Sequence, residues 1–186
     1  MESPQHEPVS EPAPQVARAR ECLVQGEALL ERGRLDEALA LLQEAVRLDP
    51  AYAPARNKLG VCYIRRGQQD LAQREFTAAV ELDPQFAPAY SNMGNLHQEA
   101  GRLEEAVAAY LKALQIDPDY HIAHHNLGVV YRRMGRISES VEHLKKAARL
   151  EHARFGREAG AKPRARWGGL VWIALLVLIG YLLLGR

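Results

Sequence analysis

His121, His124 and His125 are the densest group of metal-ligand side chains in this 186-residue chain. His121 and His125 stand four apart, the spacing that puts two imidazoles on one helix face, as chelating pairs require. No Cys or Glu stands beside them at ligand spacing, so a metal site is not expected. Cys22 and Cys62 form no CxxC pair and read as small, reduced core residues of a cytosolic domain. There is no P-loop, no dinucleotide-binding glycine pattern and no nucleophile elbow. The expectation is therefore a protein that is not an enzyme, with no cofactor and no small-molecule substrate. A net charge of +1 excludes a globally basic nucleic-acid binder.

The charge is unevenly divided. Residues 1–150 hold 18 basic against 21 acidic side chains, and residues 151–186 hold 6 against 2. The second part contains an uncharged run from Trp167 to Leu184. As a helix it spans roughly 27 Å, close to the ~30 Å hydrocarbon core of a bilayer. A capping helix of a globular domain would keep one polar face, and this run is apolar all round. It reads as a single transmembrane helix over 167–185, with Trp167, Trp172 and Tyr181 suited to the interfaces. Arg154, Arg157, Lys162, Arg164 and Arg166 precede it and only Arg186 follows, which places the N-terminal body on the cytoplasmic side. Residues 156–166 are a basic juxtamembrane linker. The stretch Arg154–Arg166 acts as an orientation signal, with contact to anionic lipid as the alternative. Residues 1–16, rich in Pro and Glu, contain no signal peptide and read as a disordered arm. The sequence thus predicts a tail-anchored membrane protein, without deciding which membrane.

Between arm and anchor the chain repeats. Gly26, Gly60, Gly94 and Gly128 are spaced by 34, as are Gly33, Gly67, Gly101 and Gly135, and Ala45, Ala79, Ala113 and Ala147. Asp49-Pro50, Asp83-Pro84 and Asp117-Pro118 keep the same register. A 34-residue period is the signature of helix-turn-helix solenoids. Leu59 and Tyr63, then Leu71, Phe76 and Val80, recur at helical spacing on either side of Gly67. Gly67 and its equivalents supply the left-handed residue that ends the first helix. Pro50, Pro84 and Pro118 stop the second, and Pro54 and Pro88 sit near the start of the next first helix. Gly60 and Gly94 fall in mid-helix, and Ala72 and Ala106 are expected to face them so that the helices approach closely.

On these residues the chain resembles the tetratricopeptide repeat family. Leu59, Gly60, Tyr63, Ala72, Phe76, Ala79 and Pro84 match its pattern in the second repeat. Tyr90, Gly94, Ala106, Tyr110, Ala113 and Pro118 match in the third, with His97 at a normally apolar position. The first repeat is looser at Cys22 and Gln25. The fourth has Ser140 for a small Ala and His152 for the proline, so its last helix should run on toward Gly156; terminal repeats cap the stack. The resemblance implies an all-α, right-handed α-α superhelical solenoid over 17–155, with repeats at 19–52, 53–86, 87–120 and 121–154.

The resemblance also implies a groove lined by first helices that holds an extended peptide. By position its lining is Arg20, Leu23, Val24, Glu27 and Glu31 in the first repeat, and Asn57, Lys58, Val61, Ile64 and Arg65 in the second. The third supplies Ser91, Asn92, Asn95, Gln98 and Glu99, and the fourth His125, Asn126, Val129, Arg132 and Arg133. Asn92 and Asn126 are equivalent and should form a short amide ladder for a peptide backbone; hydrogen bonds within the solenoid are the other reading. The groove should be polar throughout, acidic at its N-terminal end and basic at its C-terminal end. Chaperone-binding relatives use a cationic two-carboxylate clamp. Its positions here hold Asn57, Val61, Asn92, Ile122 and Asn126, or Leu23, Glu27, Lys58, Pro88 and Asn92, so that ligand is disfavoured. The expected function is a membrane-anchored scaffold that recruits a polypeptide partner; the alternative is a fixed structural subunit or assembly factor of a membrane complex.

Overall fold

The computed structural model describes residues 14–158, and all regular structure in them is helical. The eight helices are α1 (Pro14–Glu31), α2 (Leu35–Leu48), α3 (Ala53–Arg65), α4 (Gln69–Leu82), α5 (Ala87–Glu99), α6 (Leu103–Ile116), α7 (His121–Arg133) and α8 (Ile137–Glu158). The expected arm is shorter at its C-terminal side, because α1 already begins at Pro14. α8 continues past the position where the earlier repeats carry proline, into residues assigned to the linker. The rest of the arm, most of the linker and the apolar segment 167–185 lie outside the described residues. Among those described, no helix is long and apolar enough to cross a membrane.

Local chemistry sets the boundaries. Gly67 has φ +73°, and Gly33, Gly101 and Gly135 share that left-handed conformation. At this turn the Gly67 N–H donates to Ile64 and the Gln68 N–H reaches back to Tyr63, both at 2.9 Å. That is the Schellman pattern, which satisfies carbonyls a helix end leaves unpaired. At the other turn Asp83 Oδ1 accepts the Gln85 N–H at 2.9 Å, with the same bond at Asp49 and Asp117. These side-chain turns carry the chain across the proline into the next first helix.

The described residues up to Ala147 form one compact unit. α1, α3 and α5 each pack on their own second helix and on the first helix that follows. The core runs along the stack, from Leu30, Leu42, Leu59 and Cys62, through Phe76 and Leu96, to Tyr110, Leu127 and Val130. Full burial of each large side chain is worth roughly 1.5–3 kcal/mol. The mid-helix glycines make this possible, but not by facing alanines. A Cβ on Gly60 would lie 2.5 Å from Phe76 Cε1, and one on Gly94 would lie 2.6 Å from Tyr110 Cε1. The aromatic ring, one turn beyond Ala72 or Ala106, is what occupies the space a side chain would need. In the second unit, which begins at Ala148, the described residues are the last turns of α8, largely solvent-exposed and carrying Phe155 at the surface.

Candidate functional site

The first helices α1, α3, α5 and α7 lie side by side, so residues 31 or 35 apart meet across successive junctions. The three junctions differ, and the differences define the site.

Between α1 and α3 the contact is ionic. Lys58 Nζ lies 2.8 Å from Glu27 Oε1. Arg65 donates through Nη1 to the main-chain carbonyl of Leu30, near the C-terminal end of α1, where a cation also complements the helix dipole. Between α5 and α7 the contact is a hydrogen-bond network. Tyr110 donates its hydroxyl to Asn95 Oδ1 at 2.7 Å, with Gln98 Oε1 at 3.1 Å. Asn126 Nδ2 donates to the same Asn95 oxygen at 2.9 Å, and Arg133 Nη1 to the Gln98 carbonyl at 3.1 Å. Burial holds the Tyr110 phenol well above its ordinary pKa, so it remains a donor.

Between α3 and α5 the Asn92–Asn57 amide bond is present, but among the described residues there is no ion pair, no arginine clasp and no tyrosine hydroxyl. Glu99 occupies the position of Arg65 and Arg133; as a carboxylate it has no N–H to give the preceding helix. Phe76 stands where α6 has Tyr110 and lacks the hydroxyl. The result is a cleft of about 160 Å³ lined by Val61, Ile64, Arg65, Phe76, Asn92, Asn95, Leu96 and Glu99. The middle of the lining face is therefore apolar, whereas position alone suggests a groove polar along its whole length. Phe76 and Leu96 are absent from the sequence-derived lining because Phe76 reads as a core marker and Leu96 belongs to the interior of α5.

The predicted polar lining divides. Asn57 and Ser91 are buried, at 3% and 1% exposure, so they do not form an open surface. Asn57 Oδ1 accepts from Asn92 Nδ2 at 2.8 Å, and Ser91 Oγ has no hydrogen-bond partner among the described residues. Asn92 and Asn126 do not form one ladder: the first bonds Asn57 and the second bonds Asn95, each in the preceding repeat. Both amides thus tie the solenoid together, which follows from their half-buried places at helix contacts. Asn95 and Gln98 are half-buried, and His125, Arg132 and Arg133 are exposed. The acidic N-terminal end is reduced by the Lys58–Glu27 pair, leaving Glu31 exposed.

The histidines do not converge as a ligand set. His124 is buried and meets His143 of α8, while His125 is exposed. No group of three or more His, Cys, Asp or Glu side chains among the described residues is arranged to hold a metal ion. Cys22 and Cys62 are free and buried, and burial raises the Cys62 thiol pKa.

Residues 29–96 and 125–157 match family models described as tetratricopeptide repeat, and residues 98–135 match one described as TPR repeat. No curated protein sequence matches the chain. Among solved structures, one titled as a functional characterisation of Pseudomonas aeruginosa PilF is 27% identical, with a TM-score of 0.69; the match covers 75% of this chain and 64% of that one. A crystal structure of MamA is 26% identical, with a TM-score of 0.61, and covers 73% of this chain and 80% of that one. The first TPR domain of Spaghetti (RPAP3), bound to the HSP90 peptide SRMEEVD, shares the fold at 22% identity, with a TM-score of 0.59 and coverage of 64% and 95%. Turn geometry, helix register and family matches agree, and the chain contains tetratricopeptide repeats that run from residue 29 to residue 157.

Proposed function

We propose that this protein is a membrane-anchored adaptor that binds an extended polypeptide along its first-helix face and recruits it to the membrane surface. The repeat family supports protein–protein interaction, and the cleft between α3 and α5 is the observation that carries a peptide site here. Apolar floor and amide rim together suit a chain that buries one side chain while its backbone meets Asn92 and Asn95. Anchoring is supported by the uncharged run Trp167–Leu184 and the basic residues before it. The same charge asymmetry supports a cytoplasmic solenoid.

The test compares the full chain with a version ending at Arg166 in native cells. The full chain should resist carbonate extraction and co-purify its partner with membranes; the shorter chain should be carbonate-soluble and still hold the partner. Retention of the shorter chain in the carbonate-resistant fraction would refute the single-anchor reading.

One observation favours the fixed-subunit alternative. Ile137 and Val141 are 58% and 43% exposed, whereas their equivalents Leu103 and Val107 pack on the following repeat. Among the described residues, no helix packs on this last stacking edge. A partner that survives high-salt washing and is lost in Val141→Glu, but not in groove variants, would favour that reading.

A further inference from the structure

Every fourth-turn position along the first helices alternates in charge: Glu31, Arg65, Glu99, Arg133. The two arginines each donate to a main-chain carbonyl of the preceding first helix, at Leu30 and Gln98. They close the first and third junctions. At the second, where Asn92 and Asn57 bond one turn or more away, Glu99 leaves the C-terminal end unclasped, and its carboxylate instead accepts from Gln69 Nε2 at 3.3 Å. Phe76, at the position of Tyr110, lacks the hydroxyl that bonds Asn95 and Gln98 beside the third junction. Two independent sequence differences thus converge on one hollow.

From this we infer that the α3–α5 cleft is a specificity pocket for a single leucine-sized apolar side chain of a peptide that carries an acidic residue about three positions away, on the α7 side. The inference rests on the groove reading above and names its ligand chemistry. Size comes from volume: a cavity of about 150 Å³ with apolar walls holds a benzene-sized group, and this cleft measures about 160 Å³. Val61, Ile64, Phe76 and Leu96 make its walls apolar. The flanking junctions are spanned differently, one by Lys58–Glu27 and the other by Asn126–Asn95 and Arg133–Gln98. The acidic residue follows from charge. Arg133 is committed to the Gln98 carbonyl, whereas Arg132 is exposed on α7 with no ion-pair partner among the described residues. Neighbouring helix axes lie about 8–10 Å apart, which an extended chain crosses in about three residues.

The experiment measures fluorescence anisotropy of labelled nonapeptides binding the full chain in lipid nanodiscs. The peptides are Ser-rich with Leu or Ser at the centre and Asp or Lys placed three residues to either side. The Leu peptide with Asp on one side should bind at least about tenfold more tightly than its Ser counterpart, and replacing Asp by Lys should cost at least about threefold. Val61→Phe, which fills the cleft, and Ile64→Gln, which makes it polar, should each abolish the Leu advantage. Glu99→Arg, on the exposed rim, should also reduce it by restoring the clasp, and it serves if a wall variant melts early by circular dichroism. Arg132→Ala should remove the Asp advantage alone. Peptides that bind without preference for Leu, while Arg132→Ala still weakens them, overturn the pocket and leave the groove reading standing. Binding unaffected by all four variants, or no binding by any peptide, overturns both.

Discussion

His124 Nδ1 and His143 Nδ1 lie 2.8 Å apart, joining the first and second helices of the last repeat through a direct imidazole–imidazole hydrogen bond. The rings are stacked with centroids 5.0 Å apart. His124 Nε2 is 3.1 Å from the Pro118 carbonyl, which can only accept, so the neutral His124 ring carries its proton on Nε2. Its Nδ1 then accepts, and His143 Nδ1–H donates. Protonation of both rings would set two N–H groups against each other.

Acid should therefore weaken this repeat. Burial lowers the pKa of both histidines, and His143 is lowered further by charge on His124. Lys146 acts in the same direction on both, against Asp117, Asp119 and the Pro118 carbonyl on His124 and against Glu142 on His143. The unfolded chain then binds more protons than the folded one. The pair's contribution is complete above the ordinary histidine pKa of about 6.5 and declines as pH falls below it toward the depressed folded values. Melting followed by circular dichroism should show a Tm lower at pH 5.5 than at pH 7.5 by about 2–4 °C, the effect of about 1 kcal/mol in a domain of this size. The drop should shrink in His124→Leu/His143→Leu; an unchanged drop would place the acid sensitivity elsewhere.

Asn92→Ala should destabilise the solenoid by about 1–3 kcal/mol, because it leaves the buried Asn57 Oδ1 without its donor. Seen only as an exposed groove position, Asn92 should tolerate this change. The double replacement Asn57→Leu/Asn92→Val installs the residues found at Leu23 and Val24 of the first repeat and removes both polar partners. It should be less destabilising than Asn92→Ala alone. Urea denaturation of the four corners of this cycle measures the coupling.

Gly60→Ala pits two effects against each other. Helix propensity favours alanine by about 1 kcal/mol, but the new Cβ would sit 2.5 Å from the buried Phe76 ring. Overpacking of a core costs about 1–3 kcal/mol, so the net change should be destabilising. Phe76→Leu in the Gly60→Ala background should recover part of the loss by removing the ring. A Gly60→Ala protein that melts at or above the parent temperature would show that the ring moves aside freely.

The features legible in the amino-acid order are those that follow local rules. The 34-residue period fixes eight helices, because Gly67 and its equivalents adopt a backbone conformation that other residues avoid and Pro84 cannot continue a helix. Spacing also brings Asn92, Asn95 and Asn126 to the faces where first helices meet. What each of them touches follows from packing between helices. Asn57 and Ser91 are buried where position suggested a surface, Asn92 bonds the repeat before it, and Gly60 makes room for Phe76 rather than Ala72. His124 finds its partner on α8 rather than among its neighbours in sequence. The cleft lies where Glu99 and Phe76, distant in the chain, replace the arginine and tyrosine found at the neighbouring junctions. Periodicity specifies the face of a helix to within a side chain. Which atom lies opposite depends on how far neighbouring helices approach, and that distance is set by the packed side chains of both.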